Sequence, residues 1–120
     1  MAITKKSKQS IRTLKLEMLE MIRAFTKDTS WQIVFSEKLL SEPDIHGEIN
    51  HTKKRIVINP QKDSLHEALA TFIHECLHRT FPAYTEKRIR QLEEAIAKDL
   101  APAEKALVAR VLFTIASWEE

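Results

Sequence analysis

Apolar side chains recur every three or four residues over four segments of the chain, which is the spacing of a helix that buries one face. The segments span residues 7–27, 64–80 (with Asp63 or Ser64 as N-cap), 86–100 and 102–118. Pro82 interrupts the pattern after the second segment, because proline donates no backbone hydrogen bond and biases the preceding residue away from helical backbone. The sequence therefore predicts four amphipathic helices, one of them at each end of the chain.

Three shorter segments alternate large apolar residues with smaller or polar ones, which is the pattern of half-buried strands. They are residues 31–35, 48–50 and 55–58. Four residues separate the last two, the length of a hairpin connection, and Pro60 ends their pairing. Three strands are too few for a barrel and must pack on helices. The predicted fold class is α+β: a small, mostly antiparallel three-stranded sheet packed on the second helix, with three further helices.

The composition is that of one globular domain. Of the 120 residues, 43% are apolar and 30% charged, and the single glycine favours helices over a loop-rich or all-β architecture. We interpret residues 1–120 as one domain, with a helical extension at 1–30, a core at 31–100 and a last helix at 101–120. The formal net charge of +2 is too small to indicate nucleic-acid binding.

Cysteine content and hydropathy bear on the cellular compartment. Cys76 is the only cysteine, so no internal disulfide can form, and we expect it to be a small buried hydrophobe. No apolar stretch reaches the length of a membrane span, and residues 1–10 are polar with no apolar segment after them. We therefore expect a cytoplasmic protein without a membrane partner.

Residues 74–78 read His-Glu-x-x-His within the second predicted helix and carry the strongest chemical signal in the chain. His74 and His78 are four residues apart, so they lie one above the other on one helix face and can share a metal ion. Zinc accepts imidazole and carboxylate ligands in tetrahedral geometry and keeps one position open in catalytic sites. Glu75 would act as general base toward a water molecule. The alternative is a chance match in which both histidines are structural.

A zinc site needs a third protein ligand, and the origin of that ligand defines the class of site. The extended motif with a third histidine is excluded, because Phe81 and Tyr84 occupy its glycine and histidine positions. If the second and third helices form a tight hairpin about Pro82, then Glu86 and Glu93 lie about equally far along the axis from the histidine pair. The lean of helical side chains toward the N-terminus slightly favours Glu93.

The chain also resembles a known family, the small zinc metallopeptidase-like proteins of bacteria, archaea and phages of the minimal gluzincin type. In that pattern a strand beginning with Trp and a hairpin precede a helix ending in Ile-His-Glu-x-x-His. The helix is followed by x-x-Phe-Pro, a Ser or Thr cap and Glu-x-x-Val-x-x-Leu. The matching pieces here are residues 31–35, 47–58, 69–78, Phe81-Pro82, Thr85 and 86–92.

The resemblance covers about residues 31–100 and leaves the first and last helices outside. It implies a minimal zincin-like fold, one zinc ion and Glu86 as the third metal ligand. It also implies that an edge strand pairs with the substrate, a role that residues 31–35 or the hairpin after them could fill.

These observations lead to two hypotheses. The first is a zinc-dependent metallopeptidase that hydrolyses peptide bonds, with His74, His78 and Glu86 as metal ligands and Glu75 as general base. The second is a zinc-stabilised binding or regulatory module with a closed or latent cleft and no turnover. The partners we expect are a peptide or protein substrate, no nucleic acid, no membrane and, through the terminal helices, a second copy in a homo-oligomer.

Two further residues lie near the motif. His66 is about 12 Å from His74 along the predicted helix, so it cannot share the ion but could line a cleft. Tyr84 could donate a hydrogen bond to an oxyanion, or it could pack its ring at the corner between two helices.

Overall fold

The described part of the chain folds into four helices and four short strands. A computed structural model describes residues 2–28, 30–42, 45–60 and 65–118, with side chains described from residue 11 in the first helix and from residue 67 in the second. In chain order the elements are α1 (Ala2–Ala24), β1 (Gln32–Phe35), β2 (Gly47–Asn50), β3 (Arg55–Ile58), α2 (Leu65–Thr80), α3 (Glu86–Asp99), α4 (Pro102–Ile115) and β4 (Ser117–Trp118). The predicted α+β class with four helices is confirmed.

The sheet formed by the described strands is mixed, in the order β2-β3-β1-β4. β2 and β3 form the predicted antiparallel hairpin, and β1 runs parallel to β3 with Ile33 opposite Ile56. The prediction of a mostly antiparallel, three-stranded sheet is therefore wrong. Alternation of apolar residues identifies a strand but does not tell which side of a hairpin it joins, and β1 joins the β3 side.

The fourth strand replaces the end of the last predicted helix. α4 ends at Ile115, and Ala116 adopts extended backbone (φ −70°, ψ 138°), so the next two residues pair in parallel with β1. Trp118 stacks on Phe35 with ring centroids 4.6 Å apart, which supports this short pairing. A pairing of two residues is too short to leave an alternation signal in the sequence.

The first helix contributes to the same core as the motif helix. It begins at Ala2 and ends at Ala24, so it starts five residues before and ends three residues before the predicted helix of residues 7–27. It packs on α2, α3 and α4. Met18 and Ile22 on this helix are fully buried. Phe25, just after the helix, packs on Phe72 of α2 with ring centroids 6.0 Å apart.

α2 has one buried face and one face that carries the motif. Phe72, Cys76 and Leu77 are fully buried, and Cys76 is a free thiol within the core, as predicted. The N-cap expected at Asp63 or Ser64 lies outside the described residues. α2 and α3 are joined by a short turn, and the Thr85 hydroxyl caps α3 by accepting a hydrogen bond from the backbone N–H of Arg88 at 3.2 Å.

Hydropathy along the helices bears on membrane association. No helix in the described ranges combines the length and the apolar character that a membrane crossing requires.

Candidate metal centre

α2 presents the two histidines of the motif together. His74 and His78 are one turn apart, their ring centroids are 4.9 Å from each other, and each side chain is less than one-fifth exposed. Because the opposite face of α2 is held in the core, the helix backbone keeps both side chains on the outward face. The histidine pair is therefore positioned by the same packing that forms the core.

α3 brings a carboxylate to both rings. Glu86, its first residue, places Oε1 at 2.7 Å from Nε2 of His74 and Oε2 at 2.8 Å from Nε2 of His78. One potential ligand atom from each of the three residues lies within 4.8 Å of the other two. The structure thus brings His74, His78 and Glu86 into a group that could hold a metal ion.

The donors of this group suit zinc. Two imidazole nitrogens and one carboxylate oxygen are the ligand set of a catalytic zinc site with one remaining coordination position. Ligand atoms bonded to one tetrahedral zinc ion at 2.0–2.1 Å are about 3.3 Å apart. Small adjustments of the three side chains would bring their ligand atoms from the observed spacing to this distance. Hard ions such as calcium are disfavoured, since they take six to eight oxygen ligands.

Glu93 reaches the other side of His74. Its Oε1 lies 2.7 Å from Nδ1 of His74, whereas Glu86 lies against Nε2 of the same ring. Of the two acidic residues that the sequence left open, Glu86 is therefore the one beside both Nε2 atoms. Glu93 occupies the position of a residue that supports a ligand from behind.

Glu75 is buried beside the histidine pair, where it is only 5% exposed. Burial raises the pKa of Glu75 to about 7; the charge of His74 opposes this shift, and nearby carboxylates add to it. A carboxyl group whose pKa lies near neutrality can both accept and return a proton at physiological pH.

Burial and nearby carboxylates act in opposite directions on the pKa of each histidine, and their balance differs between the two rings. Burial favours the neutral form of His74, but the hydrogen bond with Glu93 and three nearby carboxylates outweigh it and raise its pKa. Burial also favours neutral His78, and there it prevails, so the pKa of His78 is lowered. The pKa of Glu86 is lowered because the attraction of His74 and His78 outweighs its partial burial.

These residues line a cleft of about 790 Å³ between the motif helix, the start of α3 and strand β2. β2 is one of the two edge strands of the described sheet, and Gly47, Glu48 and Ile49 contribute to the cleft wall. Ile45 and His46, just before β2, extend this wall. The hairpin was one of the two segments expected to pair with a substrate, whereas Ile45 and His46 were not predicted as site residues.

Two hydrogen bonds from Asn59 and a close approach at Gly47 position the cleft wall. Asn59 is fully buried; its backbone N–H donates to the carbonyl of His46 at 2.8 Å, and its side-chain amide donates to the carbonyl of Ile45 at 3.0 Å. At Gly47 a Cβ atom would lie 2.5 Å from Cγ2 of Thr71 and 2.9 Å from the carbonyl oxygen of Val57. Glycine is therefore required there by close approach of the strand to α2.

Other residues singled out from the sequence lie elsewhere. Tyr84 stacks on Phe81 with ring centroids 5.0 Å apart and carries the Arg88 guanidinium on its ring, so it packs at the helix corner and does not line the cleft. His66 is the second residue of α2 and lies in its first turn, and its side chain lies outside the described residues.

Comparison of the chain with family models, with curated proteins and with solved structures finds no match. These comparisons therefore assign the chain to no family. The function has to follow from the geometry of the site, since a fold by itself does not determine one.

Proposed function

We propose that the protein is a zinc-dependent peptidase that hydrolyses peptide bonds. The observation that carries the proposal is one arrangement: two imidazoles and a carboxylate gathered within 4.8 Å of one another, with the buried carboxyl of Glu75 beside them in the cleft. His74, His78 and Glu86 would hold the ion. Each of these residues has the donor chemistry that zinc prefers.

The metal and Glu75 would divide the chemistry between them. When bound, zinc lowers the pKa of a coordinated water toward neutrality and polarises the carbonyl of the scissile bond. Glu75 would accept a proton from the attacking water and would later deliver it to the leaving amine. Its burial in the wall of the cleft keeps the carboxyl group away from bulk solvent.

Strand β2 offers a place for the substrate backbone. The sequence favoured residues 31–35 or the following hairpin for this role, and β1 lies inside the sheet with a neighbour on either side. β2 lies at the edge and lines the cleft, so an extended peptide can add to it by backbone hydrogen bonds. Recognition of this kind depends more on the backbone of the substrate than on its side chains, which is consistent with a peptide substrate.

Metal analysis combined with cleavage of a peptide library tests this proposal. Purified wild-type protein should contain one zinc per chain at neutral pH and should cleave peptides, with products identified by mass spectrometry. Glu75→Gln preserves shape and should retain the zinc but lose roughly 100-fold to 10,000-fold in rate, because the general base is removed. Glu86→Ala should lose both zinc and cleavage.

Three results would contradict the proposal. Wild-type protein without stoichiometric zinc would indicate that the motif is accidental. Zinc without cleavage of any peptide would favour the binding or regulatory module. Cleavage that Glu75→Gln leaves unchanged would show that the activity arises elsewhere or from a contaminant.

A further inference from the structure

The two histidines of the candidate metal centre are not supported equally. Nδ1 of His74 lies 2.7 Å from Oε1 of Glu93, a hydrogen-bond distance between two partly buried groups. In the portion of the chain that the structure describes, Nδ1 of His78 has no such partner. His74 is therefore fixed at both ring nitrogens, and His78 at one.

The spacing along α3 explains how one helix reaches both sides of the same ring. Glu86 and Glu93 are seven residues apart, which is two helical turns, so they share a face and are separated by about 10 Å along the axis. The ring of His74 lies between them, with Nε2 toward Glu86 at 2.7 Å and Nδ1 toward Glu93 at 2.7 Å. Glu94, the next residue, points outward and is 76% exposed.

We propose that Glu93 is a positioning residue that fixes the tautomer and orientation of His74 for metal binding. A carboxylate at Nδ1 accepts a hydrogen bond from the N–H of that nitrogen, which keeps the proton there and leaves the lone pair on Nε2 directed at the site. Glu93 also limits rotation of the ring about its Cβ–Cγ bond. This inference rests on the proposed metal site and adds that His74 is the preorganised ligand of the pair.

The role of Glu93 differs from that of a ligand. A ligand would face the region shared by the Nε2 atoms, as Glu86 does, whereas Glu93 contacts only the far nitrogen of one ring. Removing a supporting carboxylate typically weakens metal affinity about 10-fold to 100-fold and leaves the site able to bind. Removing a ligand has a much larger effect.

Zinc affinity of the full-length protein, measured by chelator competition at fixed pH, tests this inference. Glu93→Ala should weaken affinity about 10-fold to 100-fold while still binding one zinc, and Glu93→Gln should lose less, because its amide oxygen can still accept from Nδ1–H. Glu94→Ala is the matched control on the same helix and should leave the affinity unchanged. Circular dichroism of each variant establishes that it is folded.

A second readout does not depend on zinc. In the metal-free Glu86→Ala variant no carboxylate of the described residues faces Nε2, and nitrogen-15 NMR should show neutral His74 with its proton on Nδ1. Adding Glu93→Ala to this variant should give a mixture of the two tautomers. Unchanged affinity in Glu93→Ala would overturn the inference, and so would a loss as complete as that of Glu86→Ala. If the wild-type protein binds no zinc, the proposed function fails, and the NMR result alone then decides whether Glu93 fixes the ring.

Discussion

At the scale of single residues, the chemistry of the site depends on the burial of Glu75 and on the absence of a side chain at Gly47. Glu75 has its unusual pKa because it is buried, and Gly47 allows the edge strand to close over it: a Cβ on Gly47 would lie 3.6 Å from Oε2 of Glu75. The cleft wall and the general base are therefore packed against each other. A substitution in the cleft wall should therefore also change the activity that depends on Glu75.

Replacing Gly47 by alanine should disturb both stability and activity. The new methyl group would meet Cγ2 of Thr71 and the carbonyl of Val57 at distances that require movement of β2 away from α2. We expect a loss of about 1–3 kcal/mol in the free energy of unfolding, typical of overpacking, and a lower rate of peptide cleavage. Urea denaturation and steady-state kinetics measure the two effects.

A second variant tests the cause of that loss. Thr71→Ser removes the methyl group that lies closest to the new Cβ and keeps the hydroxyl, so the double variant Gly47→Ala/Thr71→Ser should recover part of the stability. Additive losses in the double variant would show that the contact with Thr71 is not the source of the effect.

At the scale of elements, the position of α3 decides whether the site forms, and α1 helps to hold α3. Lys15 on α1 is almost fully buried and places Nζ at 2.9 Å from Oδ2 of Asp99 and 3.2 Å from its carbonyl oxygen, at the end of α3. The same Nζ lies 3.1 Å from Oε1 of Glu104, which also accepts a hydrogen bond from the backbone N–H of Ala101. One lysine thus joins three helices.

This junction should make stability depend on pH in the acid range. The hydrogen bond from Lys15 lowers the pKa of Asp99, and the backbone N–H of Ala101 together with Lys15 lowers that of Glu104. Carboxyl groups with a lowered folded pKa contribute stability above their ordinary values near pH 4, and that contribution is lost as pH falls through the folded pKa. Lys15→Met should therefore be less stable than wild type at pH 7, with the difference shrinking toward pH 3.

Urea midpoints at the two pH values measure this difference. Lys98→Met is the control, because Lys98 on α3 is 79% exposed and its 3.9 Å pair with Glu94 should contribute little. A difference between wild type and Lys15→Met that stays constant from pH 7 to pH 3 would mean that pairing of Lys15 with the two carboxylates does not cause the loss of stability.

At the scale of the whole molecule, the candidate metal centre joins two consecutive helices and adjoins a strand that precedes them in the chain. Its residues come from two helices, and the cleft beside it is closed by a sheet edge that the buried core holds in place. A ligand that binds only the folded chain stabilises it by mass action. Zinc should therefore stabilise the entire fold and not only the site.

Thermal unfolding with and without a chelator measures that coupling. Free zinc at 100 times its dissociation constant should add about 2.7 kcal/mol, which corresponds to a rise on the order of 10 °C in Tm for a domain of this size. Replacing His78 by alanine should remove most of the rise. A Tm that zinc and chelators leave unchanged would exclude a bound ion at this site.

Part of this architecture could be predicted from the sequence. The helical spacing of apolar residues located α2, α3 and α4 closely, while the first helix was placed several residues late because its basic start carries no apolar pattern. The hairpin of β2 and β3 was predicted from its short connection. The parallel placement of β1 and the two-residue strand β4 were not predicted, because both depend on pairing partners that are remote in sequence.

The sequence by itself determined that His74 and His78 lie on one helix face with Glu75 beside them, because that geometry depends only on the local repeat of a helix. Only the tertiary structure decided that Glu86 lies against both Nε2 atoms, that Glu93 lies behind His74, and that β2 forms the cleft wall. These outcomes depend on how α3 is rotated against α2 and on the order of strands in the sheet. Both are set by packing over long distances in the chain, which no local pattern encodes.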